Sequence, residues 1–229
     1  MSEIFHENRI IKSAKLVVVT LSAIRLVPHI ALFLLSPTRD ILYKDLDRFA
    51  DAYDPHRPDT VFRRVIFFIK MMTFIQEYRN VFYFRHKILG HLLAFLCPPM
   101  RSLRIYAGTC GPGLFVHHGF GTMITAKEIG ANFTVRQLAT VGFANNDMDC
   151  PKIGDNVTIG VGARVLGGVT IGDEVVVAAN SLVIADVPPG VTVMGVPTKI
   201  VSRRTTGNPE FRVIEQQAKP STNSLDEVN

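Results

Sequence analysis

The sequence predicts a mainly β protein: a parallel β-helix of hexapeptide repeats that carries an α-helical cap at its N-terminus. The strongest observation is a period of six in the second half of the chain. Stepping by six from Ile129 reaches, apart from Asp147, residues with a branched apolar side chain: Val135, Val141, Ile153, Ile159, Val165, Ile171, Val177 and Val183. A fixed period of this kind is typical of stacked repeats. Ordinary amphipathic strands would drift out of phase over such a length.

The repeat has a direct physical reading. Each hexapeptide supplies one short strand and one corner, and three of them close a triangular coil. Coils stack at the strand spacing of about 4.8 Å, so like residues pile up inside. A second inward position follows four residues after most anchors: Ala139, Val157, Ala163, Val169, Val175, Ser181 and Val187. Because the outer faces are flat and one end is open, we expect three copies to associate about the coil axis.

Composition narrows the function class. The chain has 229 residues, 47% of them apolar, and a net charge of +5. This charge suits acidic partners such as the phosphates of CoA or anionic lipid headgroups, and no basic run interleaved with aromatic residues favours nucleic acid. Cys97, Cys110 and Cys150 show no paired spacing, which favours a reducing compartment. Residues 1–15 are polar and lack a signal-peptide pattern, so we expect a cytoplasmic protein.

The apolar stretch 16–35 is long enough to span a bilayer. Arg25, Pro28 and His29 lie at its middle, where a charge and a broken helix are costly. We therefore predict two short helices that meet at Pro28. They either pack within the cap or lie on the inner face of a membrane, and the sequence leaves both readings open.

Two further helical regions complete the cap. Residues 40–53 place apolar side chains at helical spacing. Residues 61–96 are rich in phenylalanine and are predicted to break near Arg79 and Asn80. Prolines 98 and 99 end the helical part, because proline cannot continue a helix. We expect three regions: a cap or oligomerisation region (1–99), a β-helix (100–204) and a polar disordered tail (205–229).

Two interruptions are predicted within the β-helix. The polar stretch 143–152 contains proline and breaks the ladder, so it should form a loop that leaves the coil. Residues 187–190, Val-Pro-Pro-Gly, should close the last coil.

Five motifs carry a resemblance to a known family: VHHGFG (116–121), FTVRQLATVG (133–142), DCPKIG (149–154), GARVLGG (162–168) and MGVPTKIV (194–201). With them, residues 113–201 resemble the serine-acetyltransferase-like branch of the left-handed β-helix acyltransferases. Within that branch, the chain is most similar to O-acetyltransferases of bacterial surface-polysaccharide pathways, of the colanic-acid type. The resemblance implies a left-handed β-helix with acetyl-CoA as co-substrate. We expect a homotrimer, and the sequence leaves open whether trimers pair through the cap.

The resemblance implies a general base at His118. An imidazole suits proton removal from a hydroxyl near neutral pH. The backbone N–H of Gly142 is the matched oxyanion donor, although a purely structural role as a corner is an equal alternative. Adjacent His117 and His118, with no third histidine in the predicted β-helix, argue against a zinc site, and we expect no metal.

The resemblance implies that acetyl-CoA, the acetyl donor, lies in a groove between two β-helices. The small residues Ala163 and Ala179 and the backbone at Val161 match positions along it in the family. Lys199 matches a basic position that meets CoA phosphates, and Arg203 could add charge there.

Departures from the family bear on the acceptor. Serine acetyltransferases carry Asp at His117 and His at Cys150, and an orienting acid upstream of the catalytic His, where this chain has Leu103 or Arg104. Asp54, before a proline, matches a substrate-binding acid of their helical domain or simply marks a turn. Cys150 as a nucleophile is a weaker alternative. The orienting acid for His118 stays open, with Asp147 and Asp149 as candidates.

The predicted function is acetyl transfer from acetyl-CoA to a sugar hydroxyl in surface-polysaccharide biosynthesis, by direct transfer. The first alternative is serine O-acetylation in cysteine biosynthesis. The second is a non-catalytic β-helical scaffold.

Overall fold

The computed structural model describes residues 9–54, 58–144 and 149–203. Helices come first in the chain, and strands follow. The helices are α1 (Arg9–Arg25), α2 (Val27–Leu35), α3 (Arg39–Tyr53), α4 (Val61–Phe74) and α5 (Gln76–Leu93). The strands are β1 (Leu103–Cys110), β2 (Phe115–His117), β3 (Thr122–Ile129), β4 (Thr134–Arg136), β5 (Thr140–Gly142), β6 (Lys152–Ile153), β7 (Thr158–Ile159), β8 (Arg164–Leu166), β9 (Thr170–Ile171), β10 (Val176–Val177), β11 (Leu182–Val183), β12 (Val191–Met194) and β13 (Lys199–Arg203).

The strands form the parallel solenoid that the six-residue period predicts. One face holds β2, β4, β7, β10 and β12 in parallel order. A second face holds the start of β3 with β5, β8 and β11, and a third holds the end of β3 with β6 and β9. Strand β1 pairs with β3 from Leu103 opposite Thr122 to Cys110 opposite Ile129. The predicted mainly β class with a helical cap is confirmed.

The interior is the predicted ladder of branched side chains. Every described anchor from Ile129 to Val183 is at most 3% exposed. Outside, the corners recur with the coils: Asn132, Asn156 and Glu174 all adopt a left-handed φ between 56° and 58°. Asparagine tolerates this conformation better than most residues. The Asn132 amide also donates to Asn156 at 3.0 Å, so one corner braces the next.

The strand register shows one extra hexapeptide in the chain between β5 and β6. Thr140 pairs with Arg164, which lies four hexapeptides further along the chain, whereas Arg164 pairs with Leu182 after only three. The additional hexapeptide falls in the stretch 143–152, where the sequence predicts a loop. Asp147 lies outside the described residues.

The prediction that residues 187–190 close the last coil is wrong. Val187 only bridges to Ile171, and the chain then adds β12, which pairs in parallel with β10. Strand β13 returns antiparallel to β12, with Lys199 opposite Met194. The two prolines mark a corner because they remove ladder donors, but they do not end the stack.

The bend predicted in the N-terminal apolar stretch is present. Helices α1 and α2 meet at 72°, with Pro28 in the first turn of α2. Among the described residues, no single helix has the length and apolarity to cross a membrane, although this bent pair does when taken together. Leu16, Leu21 and Ile24 of α1 are 68%, 63% and 73% exposed. Membrane contact through residues 16–35 stays a prediction.

The break in the second helical region lies earlier than predicted. It falls at Ile75, whose backbone is extended (φ −114°, ψ 102°), and not at Arg79 and Asn80. The Arg79 guanidinium donates to the carbonyls of Met72 and Thr73 at 2.7 and 2.6 Å. Helices end with unpaired carbonyl groups that need donors. Arg79 thus supplies donors to the end of α4 from the next helix.

A buried ion pair joins the cap to the first coil. Arg85 of α5 donates to the Asp45 carboxylate of α3 at 2.8 and 3.1 Å, and to two carbonyl groups at the end of β1 at 2.7 Å each. The same carboxylate accepts from the N–H groups of Gly113 and Leu114 at 2.7 and 2.8 Å. These hydrogen bonds join the cap to the solenoid or one cap helix to another. The pair of Asp45 and Arg85 therefore fixes the position of the cap relative to the solenoid.

Candidate active site

The His-His pair occupies a turn at the end of β2. His117 is half-buried and closes the strand, while His118 is exposed with a left-handed φ of 55°. The two imidazole rings lie 4.0 Å apart between centroids, and the His117 ring stacks on Phe115 at 5.8 Å. The same left-handed conformation recurs at other corners of the solenoid, such as Asn132 and Asn156. The turn thus presents His118 to solvent at a corner of the first complete coil.

Gly119 locks this turn against the cap. A Cβ at Gly119 would lie 2.8 Å from side-chain atoms of Leu103 and Val116, and 3.2 Å from Cγ of Glu77. Its backbone N–H donates to the Glu77 carboxylate at 3.2 Å. Because Glu77 lies in the first turn of α5, the helical cap holds the position of the residue that follows His118.

Charges of both signs flank the imidazole pair. The β2–β4 register places Arg136 opposite His117. Burial lowers the pKa of His117, the neighbouring His118 and Arg136 lower it further, and Glu77 acts in the opposite direction. Burial and the Glu77 carboxylate together raise the pKa of Tyr53, so the end of α3 also lies close to Glu77. An acidic side chain, Glu77, and a basic one, Arg136, therefore both lie near His117.

The acceptor residues predicted from the sequence separate into two regions. Asp54 is the C-cap residue of α3, directly after Tyr53. Asp149 instead packs against Gly168, and Cys150 follows it in the chain. Within the described residues of one chain, Glu77 contacts the turn that carries His118, whereas the contact of Asp149 is with Gly168.

Gly142 is not a corner. It is the last residue of β5, is absent from the residues with left-handed φ, and a Cβ there would meet only Thr125, at 3.9 Å. Strand β5 belongs to a different face from β2. Among the described residues of one chain, no contact brings Gly142 to His118.

The residues predicted to bind acetyl-CoA lie in the later coils and in β13. Val161 and Ala179 lie on one edge in successive coils, where the N–H of Asn180 donates to the Val161 carbonyl at 2.8 Å. The Ala163 side chain is fully buried inside the solenoid, so it offers a ligand only its backbone. Lys199 is exposed at the start of β13, and Arg203 ends that strand. Their roles stay predictions.

Sequence reasoning missed Glu77 and Arg136. Arg136 lies inside the motif FTVRQLATVG, and its position opposite His117 follows once the coil register is known. Glu77 belongs to no motif, and its partner Gly119 is 42 residues away. As for metals, residues 9–54, 58–144 and 149–203 contain no group of three His, Cys, Asp or Glu side chains placed to hold an ion.

Comparison with known proteins finds a hexapeptide transferase family and serine acetyltransferases. Residues 150–185 match the family described as bacterial transferase hexapeptide (six repeats). The chain is 33% identical over 130 residues to the serine acetyltransferase of Helicobacter pylori strain J99, covering 55% of this chain and 74% of that protein. It is 35% identical over 128 residues to the serine acetyltransferase of Bacillus subtilis, covering 54% of this chain and 57% of that protein.

Among solved structures, the chain is again similar to serine acetyltransferases. The chain is similar to Neisseria gonorrhoeae serine acetyltransferase in complex with serine, with a TM-score of 0.57 and 27% identity over 76% of this chain and 74% of that one. The alignment therefore extends beyond the repeats into the helical part of the chain.

Proposed function

Since the chain belongs to the hexapeptide-repeat acyltransferases that include the serine acetyltransferases, we propose that it transfers the acetyl group of acetyl-CoA to the hydroxyl of L-serine. It is an O-acetyltransferase, and the proposal concerns its acceptor and its catalytic residues. The named relatives are serine acetyltransferases. This favours serine over the polysaccharide sugar that the sequence alone predicts.

The observation that carries the proposal is the pair of opposite charges around His117 and His118. A serine zwitterion presents an ammonium group and a carboxylate on one carbon, next to the hydroxymethyl group. Glu77 lies close enough to favour a cation at His117, and Arg136 close enough to disfavour one. We propose that Glu77 binds the ammonium group and Arg136 the carboxylate, which would direct the hydroxyl to His118.

His118 supplies the base. Its imidazole removes the hydroxyl proton as the serine oxygen attacks the thioester carbonyl carbon, which gives a tetrahedral intermediate. Collapse of that intermediate breaks the C–S bond, and the imidazolium returns the proton to the CoA thiolate. One base therefore serves both steps, and no covalent acyl-enzyme is formed.

The oxyanion donor requires a second copy of the chain. The Gly142 N–H is the proposed donor, but a single chain keeps it on another face from His118. A donor placed at the developing oxyanion is commonly worth about 10²–10³ in kcat. A homotrimer, with each active site in the cleft between two solenoids, would bring the two residues together and is part of the proposal, as is pairing of trimers.

The same cleft would hold acetyl-CoA along the later coils. Val161, Ala179 and the backbone at Ala163 permit close approach of the pantetheine arm. Lys199, and Arg203 in the same strand, are proposed to pair with the CoA phosphates at the far end.

A sugar hydroxyl is the second candidate acceptor. It is favoured by the departures at the acceptor positions, with His117, Cys150 and Arg104 where the serine enzymes carry Asp, His and an acid. An amino-acid site that lost those groups would suit a larger, uncharged hydroxyl compound.

Release of CoA thiol from acetyl-CoA decides between the two. The full chain is incubated with L-serine, with D-serine, or with a panel of nucleotide sugars and oligosaccharides. Turnover with L-serine at least a hundredfold above the sugars would support the proposal. Turnover with a sugar, and none with L-serine, would replace it by the second candidate. Hydrolysis alone, unaffected by every acceptor and by loss of His118, would overturn both.

A further inference from the structure

An open groove of about 1120 Å³ lies between the second half of α5 and strand β1. Small-molecule pockets commonly measure roughly 300–1,000 Å³. Apolar side chains line both walls: Phe84, Ile88 and Leu92 from the helix, and Leu103, Ile105 and Ala107 from the strand. The groove is separate from the turn of His118, and Leu103 stands between the two.

The rim of this groove is basic. Lys87, His91, Arg101 and Arg104 line it, and its lining contains no aspartate or glutamate. Lys87, Arg101 and Arg104 are exposed, and within the described part of the chain none of them forms a salt bridge. Three unpaired cations around an apolar floor give the groove a strongly positive potential toward an incoming ligand.

The helix distorts where its basic side chain meets the groove. Lys87 has φ 41° and ψ −112°, which is not helical, although α5 continues to Leu93. The Lys87 carbonyl is held by Nδ1 of His91 at 2.6 Å. A bulky residue held in this region costs free energy, and such strain clusters at ligand sites.

Large apolar side chains remain uncovered at the same place. Ile88 is 79% exposed, Leu92 64% and Tyr106 54%. Contiguous exposed apolar surface of this kind indicates a site for an apolar partner.

We propose that this groove binds an anionic amphiphile, a lipid-type molecule with a phosphate headgroup and a hydrocarbon chain. The phosphate pairs with Lys87, Arg101 and Arg104, and the chain lies on the apolar floor. A bare anion would make no use of the floor. A neutral lipid would leave the cations unpaired, and a second copy of this chain would bury them at a large desolvation cost. The inference does not depend on the acceptor of acetyl transfer.

The test uses the full chain and dodecyl phosphate below its micellar concentration, in isothermal titration calorimetry without acetyl-CoA. We expect saturable one-to-one binding, at least tenfold tighter than that of inorganic phosphate or of the neutral amphiphile dodecyl maltoside. The double variant Lys87→Gln, Arg104→Gln should weaken binding at least tenfold. Arg164→Gln, an exposed arginine on β8, is the matched control and should bind like the parent chain.

A second variant addresses the floor. Ile88→Asp changes an exposed side chain, so folding should be unaffected, and circular dichroism checks this. It should also abolish binding of dodecyl phosphate. Equal affinity for dodecyl maltoside and dodecyl phosphate would overturn the proposal. The proposal would also be overturned if the parent chain did not bind dodecyl phosphate and the Ile88→Asp variant, by light scattering, lost an oligomer that the parent chain forms. The groove would then be an interface between copies.

Discussion

The Glu77 carboxylate accepts a hydrogen bond from the backbone N–H of Gly119 at 3.2 Å, and so a side chain of the helical cap holds the turn that carries His118. The two partners lie far apart in sequence. Their contact ties the cap to the proposed general base, because any movement of α5 relative to the first coil would displace the turn of His118.

Removal of this contact should lower activity without unfolding the protein. Glu77→Ala loses the acceptor, and one hydrogen bond is worth about 1 kcal/mol, or roughly fivefold in rate if it positions His118. Glu77→Gln keeps an acceptor oxygen and should restore kcat, but it should raise KM for L-serine if the carboxylate also binds the ammonium group. Steady-state kinetics separate the two effects. Glu128→Gln, an exposed acid of β3, is the control, and an equal loss in that variant would contradict a positioning role.

His118 should be the dominant residue for the chemical step. His118→Ala should reduce kcat by about 10²–10⁴, the usual contribution of a general base, with little change in KM. His117→Ala should act mainly on KM, because His117 lines the site without taking the proton. The measurement is thiol release at saturating acetyl-CoA. A smaller effect at His118 than at His117 would exchange their roles, and His91→Ala serves as an exposed histidine control.

The buried pair of Asp45 and Arg85 should be the most sensitive electrostatic contact of the fold. Truncation of either partner leaves the other charge buried, which costs about 3–5 kcal/mol. We therefore expect Asp45→Ala and Arg85→Met each to lower the unfolding free energy by that amount in urea titrations. Arg63→Gln removes an exposed pair with Asp59, and should change stability by less than about 1 kcal/mol. Similar losses in the exposed and buried variants would show that the junction is solvated.

Stability should fall as the pH drops from about 6.5 toward 4. Burial lowers the pKa of both His29 and His86 to about 4. The unfolded chain therefore takes up protons first, and stability declines through this window while remaining flat above it. The slope is at most about 1.4 kcal/mol per pH unit for each group.

Unfolding at a series of pH values checks this dependence. His86→Phe should flatten the curve, because Nε2 of His86 finds no hydrogen-bond partner among the described residues and its ring already packs on Phe82 at 4.6 Å. His91→Phe, at an exposed position, should leave the curve unchanged. An unaltered slope in His86→Phe would mean that His86 is not neutral in the fold.

The solenoid could be predicted from sequence because its rule is local. Each anchor such as Val165 faces inward for the same reason as the residue six positions before it, so the period alone assigns the interior. The break of the helix at Ile75 and the addition of β12 could not be read in this way. Both depend on partners from elsewhere, since Arg79 supplies donors to a preceding helix and β10 supplies the edge on which β12 forms.

The candidate active site also contains residues that a local motif predicts and residues that only long-range packing brings to it. His118 stands in a recognisable motif, whereas Glu77 acquires its role only when α5 packs against the first coil. Gly142 illustrates a further limit, because its proposed partner belongs to another copy of the chain and no intrachain pattern reports it.

The stacking of coils has a metric consequence. Five strands, from β2 to β12, occupy one face, and four steps of about 4.8 Å give a span of about 19 Å between the level of the catalytic turn and the last coil. Insertion or deletion of one complete coil would change the distance between the turn of His118 and the strand of Lys199 by about 4.8 Å. The turn beside Glu77 would stay in place. Selection on the length of the bound donor would act on repeat number.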